Sequence, residues 1–262
     1  MSARPRVASL MYHEVTNDPM TSGFQRPGAI AYKHSVAAFE AHLARIAAAA
    51  VRPSLVTNLD LTQPGRHLLL TFDDGGKSAR TAAAMLAQRG WRGHFFIVTS
   101  LIGDRTFLDA AGIRALHAAG HVIGSHSHTH PNIFRGQNPS QMLEQWRVSV
   151  DILAQLTGAP CRSASVPGGD ISARVLESAD AAGIRYLFTS EPWLTPGRVG
   201  ACAILGRYSV KLSTSPARIG ALVGFHGWRG AAFRRRLKVW ATRAFPPLYR
   251  LYVRARTSNT AN

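Results

Sequence analysis

The sequence is poor in cysteine, in acidic residues and in long apolar runs. Only two cysteines occur in 262 residues, which excludes a disulfide scaffold and a cysteine-rich zinc module. No apolar stretch approaches the roughly 18 residues that a transmembrane helix needs, and no Gly/Ser-rich or Pro-rich linker divides the chain. With 46% hydrophobic and 17% charged residues, the composition is that of a globular protein whose core forms without disulfides.

Basic residues outnumber acidic ones by 31 to 14, so the formal net charge is +17. The excess is concentrated in residues 229–262, which contain nine basic residues and no acidic one. Basic residues interleaved with Trp, Tyr and Leu are typical of a helix that lies on an anionic membrane surface. A barrel-covering helix with a solvated basic face explains the pattern equally well. Nucleic-acid binding is the least favoured interpretation, because no nucleic-acid-binding module is recognisable.

The first apolar run, residues 7–12, is shorter than the core of about 7–15 residues in a signal peptide. No cleavage site of small residues follows it. We therefore expect a cytoplasmic protein, peripheral on the inner membrane if its basic tail binds lipid.

Short apolar runs alternate with helical segments along most of the chain. Strands are predicted over residues 7–12, 68–72, 95–98, 122–124, 162–166, 185–189, 203–208 and 221–225. Helices are predicted over residues 36–51, 78–89, 110–119, 139–156 and 172–182. This alternation indicates βαβ units with a parallel sheet, and seven or eight such units favour an α/β barrel. The connection over residues 14–34 has the length that often carries function.

Polar side chains follow the ends of several predicted strands. They are His13, Glu14, Asp73, Asp74, His126, His128, His130, Asp170, Glu191 and His226, accompanied at the same strand ends by Pro167, Gly168, Gly169 and Trp193. In a parallel barrel the carboxyl ends of all strands meet at one rim, where active sites are built. We therefore expect these side chains to share one face of the molecule.

Alternating histidines and an adjacent pair of carboxylates together suit a metal site. Zinc accepts neutral imidazole and carboxylate ligands, and a catalytic site keeps one position open for water. One carboxylate of the pair Asp73-Asp74 can be a ligand, while the other accepts a proton from metal-bound water. A separate acid must protonate the leaving amine, and His226 is the candidate. A His-rich tract or an Asp-Asp-Gly turn is common without a metal, so only their combination is specific.

Two segments resemble motifs of the polysaccharide deacetylases, the NodB-type domain of carbohydrate esterase family 4. Thr71-Phe72-Asp73-Asp74-Gly75 is similar to the first motif, and His126-Ser127-His128-Thr129-His130-Pro131 is similar to the second. The spacing between them also fits, and the similarity covers roughly residues 6–226. The resemblance implies a distorted (β/α)7 barrel, which we assign to residues 1–228. The basic composition of residues 229–262 predicts a helical extension after it.

The same resemblance implies one divalent metal ion, held by Asp74, His126 and His130. Zn2+ is the default, and Co2+, Ni2+ or Fe2+ are compatible with two histidines and one carboxylate. The resemblance also implies that Asp73 is the general base and that His226, in a segment similar to the fifth motif, is the general acid. His128 falls at a variable position of the second motif and is not expected to be a ligand.

The third motif of the family departs from its usual form in this chain. It usually places an Arg shortly before Pro-x-Gly, whereas Ser165 stands there. Because that Arg normally steers the base, its absence leaves open how Asp73 is tuned. The candidate substrate-binding residues are His13, Pro167, Gly169 and Trp193.

The indicated function is metal-dependent removal of acetyl groups from N-acetylated sugars, in polysaccharide or surface-glycan metabolism. An alternative enzyme is a deformylase or deacetylase of a lipid-linked sugar precursor. The alternative from another class is a non-catalytic basic binding protein built on a deacetylase barrel, which the altered third motif keeps open.

Overall fold

The structure is a computed structural model, which describes residues 4–169 and 171–244. Its strands are β1 (Arg6–Tyr12), β2 (Glu14–Val15), β3 (Lys33–His34), β4 (Arg66–Phe72), β5 (His94–Ile97), β6 (Val122–Ser125), β7 (Ser163–Ser165), β8 (Tyr186–Phe188), β9 (Gly197–Val199), β10 (Cys202–Leu205) and β11 (Tyr208–Ser209). Its helices are α1 (Pro27–Ile30), α2 (Val36–Ala47), α3 (Ala79–Ala87), α4 (Ala110–Ala118), α5 (Pro139–Thr157), α6 (Ala173–Ala181), α7 (Pro216–Val223) and α8 (Trp228–Ala244).

Nine strands form one curled sheet in the order β11-β1-β4-β5-β6-β7-β8-β10-β9. Its body consists of seven parallel strands of three or more residues, and only β9 runs antiparallel to its neighbour. β2 and β3 form a separate parallel pair. The predicted α/β architecture with a parallel sheet is therefore confirmed. None of the described helices is long and apolar enough to cross a membrane.

One stretch, residues 202–209, joins the two ends of the curled sheet. β10 pairs with β8, and β11 pairs with β1, although only Gly206 and Arg207 separate β10 from β11. The sequence predicts a single strand over residues 203–208, and the structure divides it. A Cβ atom at Gly206 would lie 2.5 Å from the backbone oxygen of Glu191, so a glycine is needed where the strand breaks.

Aromatic rings fill the core behind the ends of β1 and β4. The rings of Phe72 and Phe95 stack with centroids 4.8 Å apart, and Tyr12 meets Phe39 of α2 edge-on at 5.0 Å. Ser35 caps α2, as predicted, because its side chain accepts a hydrogen bond from the backbone N–H of residue 38. Close packing of these rings fixes the strand ends that carry the polar rim.

One predicted strand, over residues 221–225, is wrong. These residues form the end of α7 and the turn that follows it. Ser215 caps this helix, Pro216 occupies its first turn, and Ile219 and Leu222 are buried on one side. A short apolar run cannot be distinguished from a buried helix segment by periodicity alone, and the capping signals lie upstream of the run.

The long connection over residues 14–34 is tied to the start of α3. The buried Glu14 carboxylate accepts hydrogen bonds from the hydroxyls of Ser22 and Ser78, the latter at 2.6 Å from Ser78 Oγ to Oε2. Lys33 Nζ donates to the backbone oxygen of Ser22 at 2.8 Å. These bonds hold the connection beside the rim of the sheet.

Candidate active site

Three ligand-type side chains converge beyond the carboxyl ends of β4 and β6. The ligand atoms of Asp74, His126 and His130 all lie within 4.8 Å of one another. Asp74 Oδ1 is 3.4 Å from His126 Nε2 and 3.8 Å from His130 Nε2. One carboxylate and two imidazoles at these separations form a donor set that suits a divalent metal. The structure thus brings together the three residues predicted as ligands.

The backbone at two of these positions is strained. Asp74 has φ 76° and His130 has φ 51°, in the left-handed region that residues other than glycine seldom adopt. Such conformations cost of order 1–3 kcal/mol each and cluster at functional sites. His126 Nδ1 lies 3.0 Å from the backbone oxygen of Ser165. A proton on that nitrogen leaves the Nε2 lone pair free for a metal, which is how a partner beyond the ligand orients an imidazole.

Burial and neighbouring charge set the protonation states of these side chains. Burial lowers the pKa of His130 to about 3, and the nearby His126 adds to the shift, so His130 is neutral, as a ligand must be. Burial raises the pKa of Asp74, but His13 and the two other histidines outweigh it, and the net pKa lies below its ordinary value. Asp74 is therefore a carboxylate.

Asp73 is held by a guanidinium group that comes from the break between β10 and β11. Arg207 Nη1 lies 2.7 Å from Asp73 Oδ1 and Nη2 lies 2.9 Å from Oδ2, a bidentate pair, and Arg207 is fully buried. Its Nε also donates to the backbone oxygen of Thr189 at 2.9 Å. Burial raises the pKa of Asp73, but Arg207 and His126 outweigh it, so the pKa is lower than usual. Asp73 is thus ionised, the form that accepts a proton.

Ser165 links the base to the ligand group. Its Oγ donates to Asp73 Oδ1 at 3.1 Å and lies 2.6 Å from His126 Nδ1. Ser165, at the position where the third motif usually has its Arg, thus forms a hydrogen bond to Asp73. The positive charge beside Asp73 comes from Arg207 instead. Sequence reasoning missed Arg207, although an arginine inside a predicted apolar strand was a signal that could have found it.

The predicted substrate-binding residues separate into two groups. His13 and Gly169 line a cavity of about 450 Å³ that also contains Asp73 and the three ligand-type residues. Pro167 is buried and Trp193 lies against the backbone beside β10, and neither forms part of the cavity wall. The Nδ1 atom of His13 is buried and has no hydrogen-bond partner among the described residues.

His226 lies away from this cavity, which contradicts its expected place on the rim. It is exposed and follows α7 instead of a strand. The neighbouring Phe225 ring lies 5.4 Å from the guanidinium carbons of both Arg6 and Arg66, which begin β1 and β4. The turn therefore lies toward the amino ends of the strands, whereas Asp73 follows the carboxyl end of β4. Helix α7 carries the chain away from the rim, which is why a strand-end prediction failed.

Helix α8 forms one wall of the cavity. Arg235 Nε donates to Glu191 Oε1 at 2.8 Å, and its Nη2 donates to the backbone oxygen of Gly169 at 2.7 Å. Arg234 and Ala231 line the cavity beside it. Glu191, whose role the sequence left open, thus anchors the start of the basic extension; residues 245–262 of that extension lie outside the described residues. The division at residue 228 stays a prediction.

Solved structures with a similar fold come from several bacteria. A polysaccharide deacetylase from Bacillus cereus is 18% identical with a TM-score of 0.71, over 84% of this chain and 69% of that one. IcaB from Ammonifex degensii is 19% identical with a TM-score of 0.69, over 86% of this chain and 100% of that one. The deacetylase PplD from Streptococcus pyogenes is 16% identical with a TM-score of 0.67, over 83% of this chain and 97% of that one.

At these identities the likeness defines the fold, an α/β barrel of the deacetylase type, and confirms the predicted fold class. The family model for polysaccharide deacetylase matches residues 60–187, a range that contains Asp73, Asp74, His126 and His130. The match covers the part of the chain that carries these motifs, and it confirms the resemblance to the polysaccharide deacetylases. The chain is accordingly a hydrolase that acts on carbon–nitrogen amide bonds.

Proposed function

We propose that this protein is a metal-dependent N-deacetylase that hydrolyses the acetamide group of N-acetylated sugars in polysaccharide or surface-glycan metabolism. The observation that carries the proposal is one cavity in which Asp73, ionised and held by Arg207, lies beside the group Asp74, His126 and His130. Amide hydrolysis by water needs a proton acceptor next to an electrophilic centre; Asp73 offers the acceptor, and Asp74, His126 and His130 could hold a cation as the centre.

The ligand group would hold one divalent cation through Asp74, His126 and His130. The fit rests on the convergence of their ligand atoms and on the Nδ1 contact of His126 with Ser165. Zn2+ suits this donor set, and Co2+, Ni2+ or Fe2+ are alternatives. When bound, the cation would polarise the acetamide carbonyl and lower the pKa of water in the site.

Asp73 would accept the proton of the attacking water. Its Oδ2 lies 4.0 Å from His126 Nε2, so the base borders the ligand group directly. The bidentate bonds from Arg207 orient the carboxylate and keep it ionised near neutral pH. Ser165 restrains the same carboxylate from the other side. A base held by two partners needs little reorganisation when it reacts.

His13 would donate a proton to the leaving nitrogen, in the role that the motifs had indicated for His226. It follows β1 at the rim and lines the cavity. Burial lowers the pKa of His13, and the carboxylates of Asp74 and Asp73 oppose that shift. A protonated imidazole with a lowered pKa is a strong proton donor. The Nδ1 atom of His13 is buried and has no hydrogen-bond partner among the described residues, so no protein group competes for its proton.

The decisive test is acetate release by the Asp73→Asn variant from N-acetylglucosamine oligomers. We expect the variant to fold, to keep its metal and to lose acetate release, because the amide cannot accept a proton. His226→Ala is the matched control and should keep wild-type activity. If the wild-type protein, loaded with each of the four metals in turn, releases no acetate from any N-acetylated sugar offered, the proposal fails and a non-catalytic binding role is favoured.

A lipid-linked sugar precursor is the second candidate substrate. Arg26, Lys211 and Arg234 line the cavity, and cations suit the phosphate that joins such a sugar to its lipid. A comparison of kcat/KM for N-acetylglucosamine and for its 1-phosphate tests this. A preference for the phosphorylated sugar that disappears in Lys211→Met would favour the lipid-linked form, and equal values would exclude it.

A further inference from the structure

Helix α8 is fixed against the barrel by one of its faces. Trp228 and Ala231 are buried, and Trp228 Nε1 donates to the backbone oxygen of Leu222 at 2.9 Å. The ion pair between Arg235 and Glu191 fastens the next turns to the cavity rim. These contacts set the rotation of the helix about its axis, and therefore which side chains it presents to solvent.

The outward face of α8 carries a stripe of three large apolar side chains. Phe233, Leu237 and Trp240 expose 69%, 57% and 65% of their surfaces. Their spacing of four and three residues places them along one side of the helix. Exposed apolar residues on a soluble protein are normally scattered one by one. A group of large apolar side chains on one surface therefore indicates a binding site for another molecule or a membrane.

Unpaired cations border this apolar stripe. With 100° of rotation per residue, Arg229 and Arg236 lie along one edge of the stripe and Arg234 along the other. All three are exposed, and none has an ion-pair partner within the part of the chain that the structure describes. No acidic residue occurs between residue 228 and the end of the sequence. The outward face is thus apolar at its centre and positive at its borders.

We propose that α8 docks this protein onto an anionic lipid bilayer, with the stripe Phe233, Leu237 and Trp240 in the interfacial layer. Charge complementarity identifies the occupant, because a bilayer offers apolar chains beneath a negatively charged surface. Tryptophan is enriched at this depth of membranes. A second copy of the chain, at a formal +17, would bring like charges together around the stripe.

The docked helix would bring the active-site cavity close to the membrane. Arg234 both borders the apolar stripe and lines the cavity, so one cavity wall would lie next to the lipid surface. The anionic leaflet that faces the cytoplasm suits such a peripheral protein. The docking does not rest on the proposed deacetylase activity, because it depends only on the outward face of α8.

The test is co-sedimentation of the full-length protein with vesicles of phosphatidylcholine alone or of phosphatidylcholine with phosphatidylglycerol, an anionic lipid that attracts basic segments. We expect binding to the anionic vesicles and little to the neutral ones. The triple variant Phe233→Ser/Leu237→Ser/Trp240→Ser should lose at least about tenfold in vesicle affinity. The conservative variant Phe233→Leu/Trp240→Phe keeps the apolar stripe and should bind like the wild type.

A second pair of variants tests the charged borders. Arg229→Gln/Arg236→Gln should weaken binding to anionic vesicles by roughly tenfold at low salt. Arg147→Gln/Arg174→Gln removes two exposed arginines from α5 and α6 and should have no effect. Circular dichroism must show that every variant is folded.

Equal vesicle binding by the wild type and the folded triple variant would overturn the proposal. A wild-type dimer in light scattering that the triple variant dissociates, without vesicle binding, would overturn it in favour of a second copy. Vesicle binding needs no substrate, so a protein that binds vesicles but releases no acetate would refute the proposed function and leave this inference standing.

Discussion

Arg207 and Asp73 form a buried bidentate ion pair although 134 residues separate them in the sequence. The guanidinium comes from the point where the chain leaves β10 and joins β11, and the carboxylate follows β4. The stretch that joins the two ends of the sheet therefore also orients the proposed base. The pair therefore forms only when the two ends of the sheet are brought together.

We predict that Arg207→Met lowers kcat by about 100-fold, within the range that a positioned base contributes. The change also leaves a buried carboxylate unpaired, which should cost about 3–5 kcal/mol of unfolding free energy. Arg207→Lys keeps the charge without the bidentate geometry. Its kcat and its unfolding free energy should lie between those of the wild type and those of Arg207→Met. Kinetics, thermal unfolding and metal content on the three proteins check this.

The pH profile of kcat/KM distinguishes a role of Arg207 in positioning Asp73 from a role in stability alone. Arg207 outweighs burial and lowers the pKa of Asp73, so its loss should raise that pKa. The low-pH limb of kcat/KM in Arg207→Met should therefore move to higher pH. If the low-pH limb stays where it is in the wild type and Arg207→Met is only less stable, Arg207 has a structural role alone.

Two histidine variants decide which imidazole is the proton donor. We predict that His13→Ala lowers kcat by about 10²–10⁴-fold, because His13 lines the cavity, and that His226→Ala changes it by less than about twofold. Metal content should be equal in both variants. Loss of activity in His226→Ala with retention in His13→Ala would reinstate the assignment that the motifs indicated.

Metal analysis tests the ligand group directly. The purified wild-type protein should contain about one divalent ion per chain, and His126→Ala/His130→Ala should contain none, because a catalytic metal needs about three protein ligands. Added Zn2+ should stabilise only the wild type, by about 2.7 kcal/mol at one hundred times Kd. No bound metal in either protein after incubation with Zn2+ would remove the basis of the proposed chemistry.

Glu14 should make stability depend on pH. Burial raises the pKa of Glu14 to about 7, from 4.5 in the unfolded chain, so the folded state keeps a proton that the unfolded state releases. Its contribution is fully present below about pH 4.5 and is lost as the pH rises toward 7. Glu14→Gln should therefore gain about 1–3 kcal/mol relative to the wild type at pH 8 and little at pH 4. Urea unfolding at the two pH values measures this, and equal differences would contradict it.

Strands that the sequence marks with a compact apolar run ended by polar residues were predictable to within two residues. β1, β4, β5 and β6 belong to this class. The capped start of α2 was also predictable, but this helix ends at Ala47 instead of residue 51. The carboxylate pair after β4 and the histidines after β6 were recognisable for the same reason, whereas the choice of Asp74, His126 and His130 as ligands came from the resemblance to the deacetylase motifs. Periodicity failed at residues 221–225, where the first three residues end a helix whose cap lies upstream and the last two form the turn after it.

The amino-acid sequence by itself determined the alternation of strands and helices, the carboxylate pair and the histidines, because these depend on neighbours a few residues away. Only the tertiary structure decided which guanidinium neutralises Asp73 and which histidine faces the cavity. The positions of this guanidinium and of this histidine depend on the order of the strands and on the point between β10 and β11 where the chain passes from one end of the sheet to the other. Contacts between distant residues follow from the closure of the sheet, and no local propensity encodes them.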